Sequence, residues 1–144
     1  MLIVQPTTFQ EFEQYYRLRY EVLRKPWHQP PGSERSPDDD TATHLMAVDE
    51  TTGEVIGGCR VHLVSPTQMQ LRYMSVAPRH RNKQVGRRLL AAAEEIARHA
   101  GAKEIFLQAR EHSVNFYLRN GYVLEEKTHL LYGEIQHFQM RKFL

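Results

Sequence analysis

The chain has 144 residues, 41% hydrophobic and 25% charged, with a formal net charge of +2, the profile of one ordinary globular domain whose core would bury roughly 70% of the unfolded chain's surface. That near-neutral balance argues against a general polyanion binder, no apolar run approaches the ~20 residues of a membrane span, and Met1-Leu2-Ile3-Val4, followed by Pro6, is too short and lacks the basic lead of a signal peptide. The one cysteine, Cys59, cannot form an internal disulfide, and a reducing cytoplasmic compartment is expected.

Residues 2 to 5 read as a first strand. Thr8 with Glu11 three residues on reads as a capping box, and Phe9, Phe12, Tyr16, Tyr20 and Leu23 then mark an apolar stripe to about Arg24. Arg19 and Arg24 fall off that stripe and read as surface charge. From Lys25 to Thr43 no periodic element fits: four prolines and three consecutive aspartates make a long loop, which in a compact domain is functional or disordered. Trp27 argues against plain disorder, since an indole finds a surface to pack on.

His44 to Asp49 and Glu54 to Val64 read as strands joined through Glu50-Thr51-Thr52-Gly53, a hairpin signal. Cys59 sits in the second of them, where a buried thiol is expected. Gly57-Gly58 in mid-strand signals a bulge or a close backbone approach. Gln68 to Val76 reads as the next strand, ended by Pro78. From Gly86 the period becomes helical, with Leu89, Ala92, Ala93, Ile96 and Ala100 on one stripe, Glu94 off it, and Gly101 as C-cap. Lys103 to Ala109 reads as a buried strand, Ser113 to Arg119 as a short helix with Asn120-Gly121 as its left-handed exit, and Tyr122 to Leu131 with Ile135 to Phe143 as a last antiparallel pair.

Between the strand ending near Ala77 and the helix lie Arg79, Arg81, Lys83, Arg87 and Arg88. A helix start presents unpaired N–H groups and a partial positive charge, so strand, basic loop and helix in this order can bind phosphate oxygens. Arg81-Asn82-Lys83-Gln84-Val85-Gly86 resembles the pyrophosphate loop of the GNAT N-acetyltransferases, Arg/Gln-x-x-Gly-x-Gly/Ala. Arg81 and Gly86 match, and Gln84 stands where the family most often has its first glycine, removing a residue suited to positive φ. Phe116-Tyr117 followed by Gly121-Tyr122 resembles the family's second landmark, a short helix carrying a tyrosine before the next strand. With Leu18-Arg19 and Val22 near the start, the resemblance covers almost the whole chain.

It implies a single domain over residues 1–144: a mixed, mostly antiparallel twisted sheet of about seven strands with helices on both faces, and a parallel pair around the central crossover. It implies acetyl-CoA as cosubstrate and a primary amine of a small molecule or peptide as acceptor, with homodimers among the states open to it. The pyrophosphate would rest on Arg81, Asn82, Lys83, Gln84, Val85, Gly86 and Arg87. Backbone groups of Met74, Ser75 and Val76 would pair with the pantetheine arm and polarise the thioester carbonyl.

Tyr117 matches the general acid for the departing thiolate; a phenol near pKa 10 and a thiol near 8.5 suit that transfer. The base is open among His44, His137, Glu34 and Glu111, with His137 singled out because Gly133-Glu134-Ile135-Gln136-His137 resembles a Gly-Ile-Pro-His pattern of some small bacterial relatives. The segment from Lys25 to Thr43 falls where the family varies to match its acceptors. There it would be a gate outside the core, its Glu34, Asp38, Asp39 and Asp40 attracting a cationic amine. No metal-ligand spacing is present. Two other readings stand beside an enzyme: a non-catalytic acyl-CoA-binding module, and a nucleic-acid binder, which lacks a recognition helix and sufficient charge.

Overall fold

The computed structural model describes all residues 1–144. In chain order the elements are β1 (Leu2–Val4), α1 (Phe9–Leu23), β2 (Thr43–Val48), β3 (Val55–Ser65), β4 (Gln68–Val76), α2 (Val85–His99), β5 (Glu104–Arg110), α3 (Val114–Arg119), β6 (Val123–Leu131) and β7 (Ile135–Phe143), with 3-10 turns at Lys25–Trp27, Pro37–Asp40, Pro78–His80 and Glu111–Ser113. The strands form one seven-stranded sheet in the order β1-β2-β3-β4-β5-β7-β6. It is mixed and mostly antiparallel; β4 and β5 are the parallel pair, registered at Gln68↔Glu104, Met69↔Ile105 and Gln70↔Phe106. No helix is long and apolar enough to cross a membrane.

Two compact units are distinguishable, Met1–His62 with Tyr73–Ala93, and Leu63–Arg72 with Glu94–Leu144. In the first, α1 starts on the expected capping box: Thr8 accepts from the Glu11 amide, and the Glu11 carboxylate accepts from the amides of Thr7 and Thr8. The buried face of α1 is Tyr15, Leu18, Arg19 and Leu23, one position away from the expected stripe, and Phe9 is 78% exposed. β3 is buried along Val55–Val61 because helices cover both its faces. A Cβ added at Gly57 would stand 2.7 Å from Val85 Cγ1 and 3.0 Å from Leu89 Cδ1 of α2; one added at Gly58 would stand 2.9 Å from Tyr15 Cε1 of α1. Successive strand residues point to opposite faces, so the glycine pair is where both helices close on the sheet. A bulge accompanies it: Ala47 pairs with Gly57 and Val48 with Val55, leaving Ile56 between them.

The segment from Lys25 to Thr43 is a packed part of this unit, contrary to the expected gate outside the core. Tyr20 Oη donates to Gln29 O (2.9 Å), Arg24 Nε to Ser33 O (3.1 Å), and Glu34 and Asp39 are buried. The acidic 3-10 turn at Pro37–Asp40 is capped by Ser36 and held by two arginines described below.

The second unit is built on β5, β7 and β6 with α3 and the last turns of α2. Ile105, Leu107, Ala109, Tyr117, Tyr122 and Met140 are buried in it. Glu94, expected off the helix stripe, is buried as well: its Oε2 accepts from Tyr122 Oη at 2.9 Å and its Oε1 from Lys142 Nζ at 2.8 Å. Gly121, at φ +91°, makes the expected left-handed exit from α3.

Candidate active site

β4 ends at Val76, and the Pro78–His80 turn leads into exposed Arg81–Gln84, behind which α2 begins. The first helical bond of α2 runs from Arg88 N to Gln84 O (3.0 Å), so the amides of Val85, Gly86 and Arg87 precede the i→i−4 ladder and keep their donors for an anion. Gln84 adopts φ +69° and Asn82 φ +63°. The left-handed turn expected to need glycine is therefore made by a glutamine and an asparagine, at a cost of about 1 kcal/mol for the former. Gln84 Oε1 accepts from Arg87 Nη1 (3.4 Å), which helps to hold the turn. Two of the five basic residues are engaged elsewhere: Arg79 pairs with Glu54, and Arg88 Nη1 donates to Met1 O (3.0 Å). Arg81, Lys83 and Arg87 remain exposed on the loop and the helix start. The registered pairing of β4 with β5 stops at Gln70↔Phe106, upstream of Met74, Ser75 and Val76.

In the second unit Tyr117 lies on α3, 5% exposed, its ring edge-on to Phe116 (5.0 Å between centroids) and Tyr122 (5.6 Å). The Tyr117 carbonyl closes the helix by accepting from the amides of Asn120 and Tyr122, both at 3.0 Å. His137, on β7, is buried and stacked on His129 at 4.2 Å. Its Nδ1 donates to Ile135 O at 2.9 Å. Glu111 is exposed at the turn after β5.

His44 is arranged differently. Nε2 lies 2.7 Å from Asp39 O and Nδ1 2.7 Å from Tyr15 Oη. Burial lowers its pKa, with the Asp39 carbonyl opposing and Arg19 adding to the lowering, so the ring is neutral. A carbonyl can only accept, so Nε2 carries the proton and Nδ1 accepts from the Tyr15 hydroxyl, whose one proton also faces Cys59 O at 3.0 Å. Both nitrogens are spent, which fits His44 for holding the Asp39 turn rather than for taking a proton from an amine.

A model of the acetyltransferase (GNAT) family matches residues 9–122. The chain belongs to this family. YjcF of Bacillus subtilis (strain 168), an uncharacterised N-acetyltransferase, is 30% identical over 134 residues, 92% of this chain and 93% of that one. Among solved structures, an aminoglycoside 6'-N-acetyltransferase complexed with coenzyme A has the same fold at 18% identity (TM-score 0.82, covering 99% of this chain and 97% of that one), as does Escherichia coli ElaA at 18% (TM-score 0.82, 98% and 97%). This GNAT protein is an N-acetyltransferase.

Two arginines, one of them expected at the surface, lie in the core of this acetyltransferase. Arg19 and Arg60 are 1% and 0% exposed. Arg19 Nη1 donates to Asp39 Oδ2 (2.9 Å) and Glu34 O (3.2 Å), and its Nη2 to Tyr15 Oη (2.8 Å). Arg60 donates from Nη1 to Asp39 Oδ1 (2.8 Å) and forms a fork on Asp38, 2.9 Å at each oxygen. Tyr73, on β4 at φ +60°, is a left-handed outlier for so bulky a residue. It lies under both guanidinium groups, 4.1 Å from Arg19 and 5.3 Å from Arg60, so cation–π attraction helps to hold that backbone. Asp38 and Asp39 are thus occupied by arginines of their own chain. The one signal available beforehand was the spacing of Tyr15 and Arg19, one turn apart, against the aspartate run.

Proposed function

We propose that this acetyltransferase transfers the acetyl group directly from the thioester to a primary amine of a small molecule or peptide, without an acyl-enzyme. The observation that carries this is Cys59. It is the chain's one cysteine, it is fully buried, and burial pushes its thiol up to about 12 with Arg19 only partly opposing; a thiol so held does not supply a thiolate nucleophile. Acetyl-CoA brings the activated acyl group; the chain supplies positioning and proton traffic.

The amides of Val85, Gly86 and Arg87, with Arg81, Asn82, Lys83 and Gln84 around them, hold the pyrophosphate by helix-terminus and guanidinium charge. Backbone groups at Met74, Ser75 and Val76 orient the acyl arm and polarise its carbonyl. The amine nitrogen attacks the carbonyl carbon, a C–N bond forms and the C–S bond breaks. One of the base candidates, His137 or Glu111, takes the proton the amine releases, and the Tyr117 hydroxyl gives its proton to the departing sulfur.

Tyr117→Phe tests the assignment, because it removes the hydroxyl and leaves the ring between Phe116 and Tyr122. Turnover should fall by about 10²- to 10⁴-fold, with the CoA dissociation constant within about twofold of wild type. Unchanged kcat would refute the acid role.

A further inference from the structure

The outer face of α1 and the segment following it border an open depression of about 230 Å³ lined by Glu13, Tyr16, Tyr20, Pro31, Glu34 and Arg35. None of these residues takes part in the transfer steps above. Glu34 decides the chemistry of the pocket. It is 6% exposed, and its Oε1 accepts from the Gly32 amide at 2.9 Å. Its Oε2 is buried, and no donor of the chain hydrogen-bonds to it. Arg35 Nε stands 4.0 Å away, beyond hydrogen-bond distance.

A buried carboxylate oxygen without a donor is costly and asks for one. Arg35 supplies charge but not the bond: its guanidinium lies 4.0 Å over the Tyr16 ring, while its side chain stays 59% exposed. Glu13 and Arg17, which also borders the pocket, are one helical turn apart and offset one another. What is left to satisfy is the missing hydrogen bond at Glu34 Oε2.

We propose that this pocket binds an alkylammonium group, whose N–H donates to Glu34 Oε2 and whose cation faces the Tyr16 ring in place of the Arg35 guanidinium. Arg35 is then a tethered cation that the ligand displaces toward solvent. A carboxylate partner stabilises the protonated amine, and a protonated amine cannot attack a thioester. Resting on the amine-acetylation reading above, the group held here is therefore a second, non-reacting ammonium, and the acceptor class is a diamine or polyamine.

The test is calorimetric titration with 1,5-diaminopentane, and with 1-pentanol as uncharged control, on the wild-type chain, Glu34→Gln and Arg35→Ala. Gln keeps the oxygen that accepts from Gly32, and Arg35 is exposed, so both variants should fold. The diamine should bind and the alcohol should not; Glu34→Gln should weaken the diamine by about tenfold or more, and Arg35→Ala should tighten it severalfold. Equal affinity in wild type and Glu34→Gln, or weaker binding to Arg35→Ala, would overturn the proposal. Should Glu34→Gln fail to fold, the Arg35→Ala affinity decides alone. CoA-thiol release is read in parallel. Diamine binding with the predicted pattern but no thiol release supports the pocket and tells against the transfer reading. Thiol release with kcat/KM unmoved by Glu34→Gln overturns the pocket and leaves the transfer reading standing.

Discussion

Replacing Asp39 with alanine removes the carboxylate shared by two buried guanidinium groups. Arg19 keeps Glu34 O and Tyr15 Oη, and Arg60 keeps its fork on Asp38, but each loses a charge-assisted bond of 2.9 or 2.8 Å. The Ser36 amide also loses its acceptor. Removing one member of a buried ion pair costs about 3–5 kcal/mol, because the remaining charge stays desolvated. For a chain of this length that is about 10–15 °C in Tm, a large share of a total stability of about 5–15 kcal/mol. Urea unfolding followed by circular dichroism reads the loss, and limited proteolysis locates it: the wild-type segment 30–43 should resist cleavage, and the variant should be cut there first. The companion Asp39→Ala/Arg60→Met should recover part of the loss, since the orphaned charge goes with its partner. A loss below about 1 kcal/mol in the single variant would refute the reasoning, showing that the two arginines reach water without Asp39.

Gln84→Val should weaken CoA binding by tenfold or more, because a β-branched residue resists φ +69°, whereas Gln84→Gly should bind at least as tightly as wild type; equal affinity in both by calorimetry would refute the role of the left-handed turn. Glu94→Ala should destabilise the chain by about 3 kcal/mol by leaving Lys142 and Tyr122 without their shared acceptor, a denaturation midpoint near wild type being the contrary result. Stability should fall with acid in two stages. His44 has a lowered pKa in the folded chain, chiefly through burial, so the unfolded chain takes up its proton first and stability declines as pH drops through about 6.5. The second stage comes from Asp38 and Asp39. Asp38 is held low by its bonds from Arg60 and Ser36; at Asp39 burial pushes upward but is outweighed by Arg19, Ser36 and Arg60. Groups lowered in this way stabilise the fold above their unfolded pKa of about 4 and lose that contribution as pH falls below it. Unfolding midpoints at pH 7.5, 5.5 and 3.5 should descend in that order, and a His44→Gln chain should lose the first step alone.

The local signals in the sequence were sound wherever the cause was local. Thr8 and Glu11 form the capping box, Gly101 and Gly121 take the left-handed exits after α2 and α3, and β4 runs from Gln68 to Val76 as its alternation indicated. What could not be read depends on partners far along the chain. Arg19 and Arg60 are buried because Asp39 lies 20 and 21 positions from them and returns to bind both, and no periodicity within α1 or β3 encodes that return. The aromatic stripe of α1 is displaced as well: Tyr16 is left half-buried beneath Arg19 and Arg35 while Tyr15 goes inside. Glu94 is buried for a similar reason, its acceptors being used by Tyr122 and Lys142 rather than by water. In the candidate site the basic loop and Tyr117 were legible as a motif, but the capacity of Gln84 for positive φ was not, since propensity favours glycine there and the adjoining turn overrides it. That both nitrogens of His44 are engaged was equally hidden, because that depends on Tyr15 and Asp39.

The paired glycines of β3 give the anion loop an unexpected determinant. Val85, the first residue of α2, rests against the bare backbone of Gly57, and on the reverse side Tyr15, which bonds His44 and Arg19, rests against that of Gly58. The position of the helix tip is thus set by a residue that never meets a phosphate. A single methyl at Gly57 would press on Val85 and Leu89 and so on the tip that carries the amides of Val85, Gly86 and Arg87, leaving every charge in the loop intact, a perturbation that an alanine scan of the basic residues would pass over.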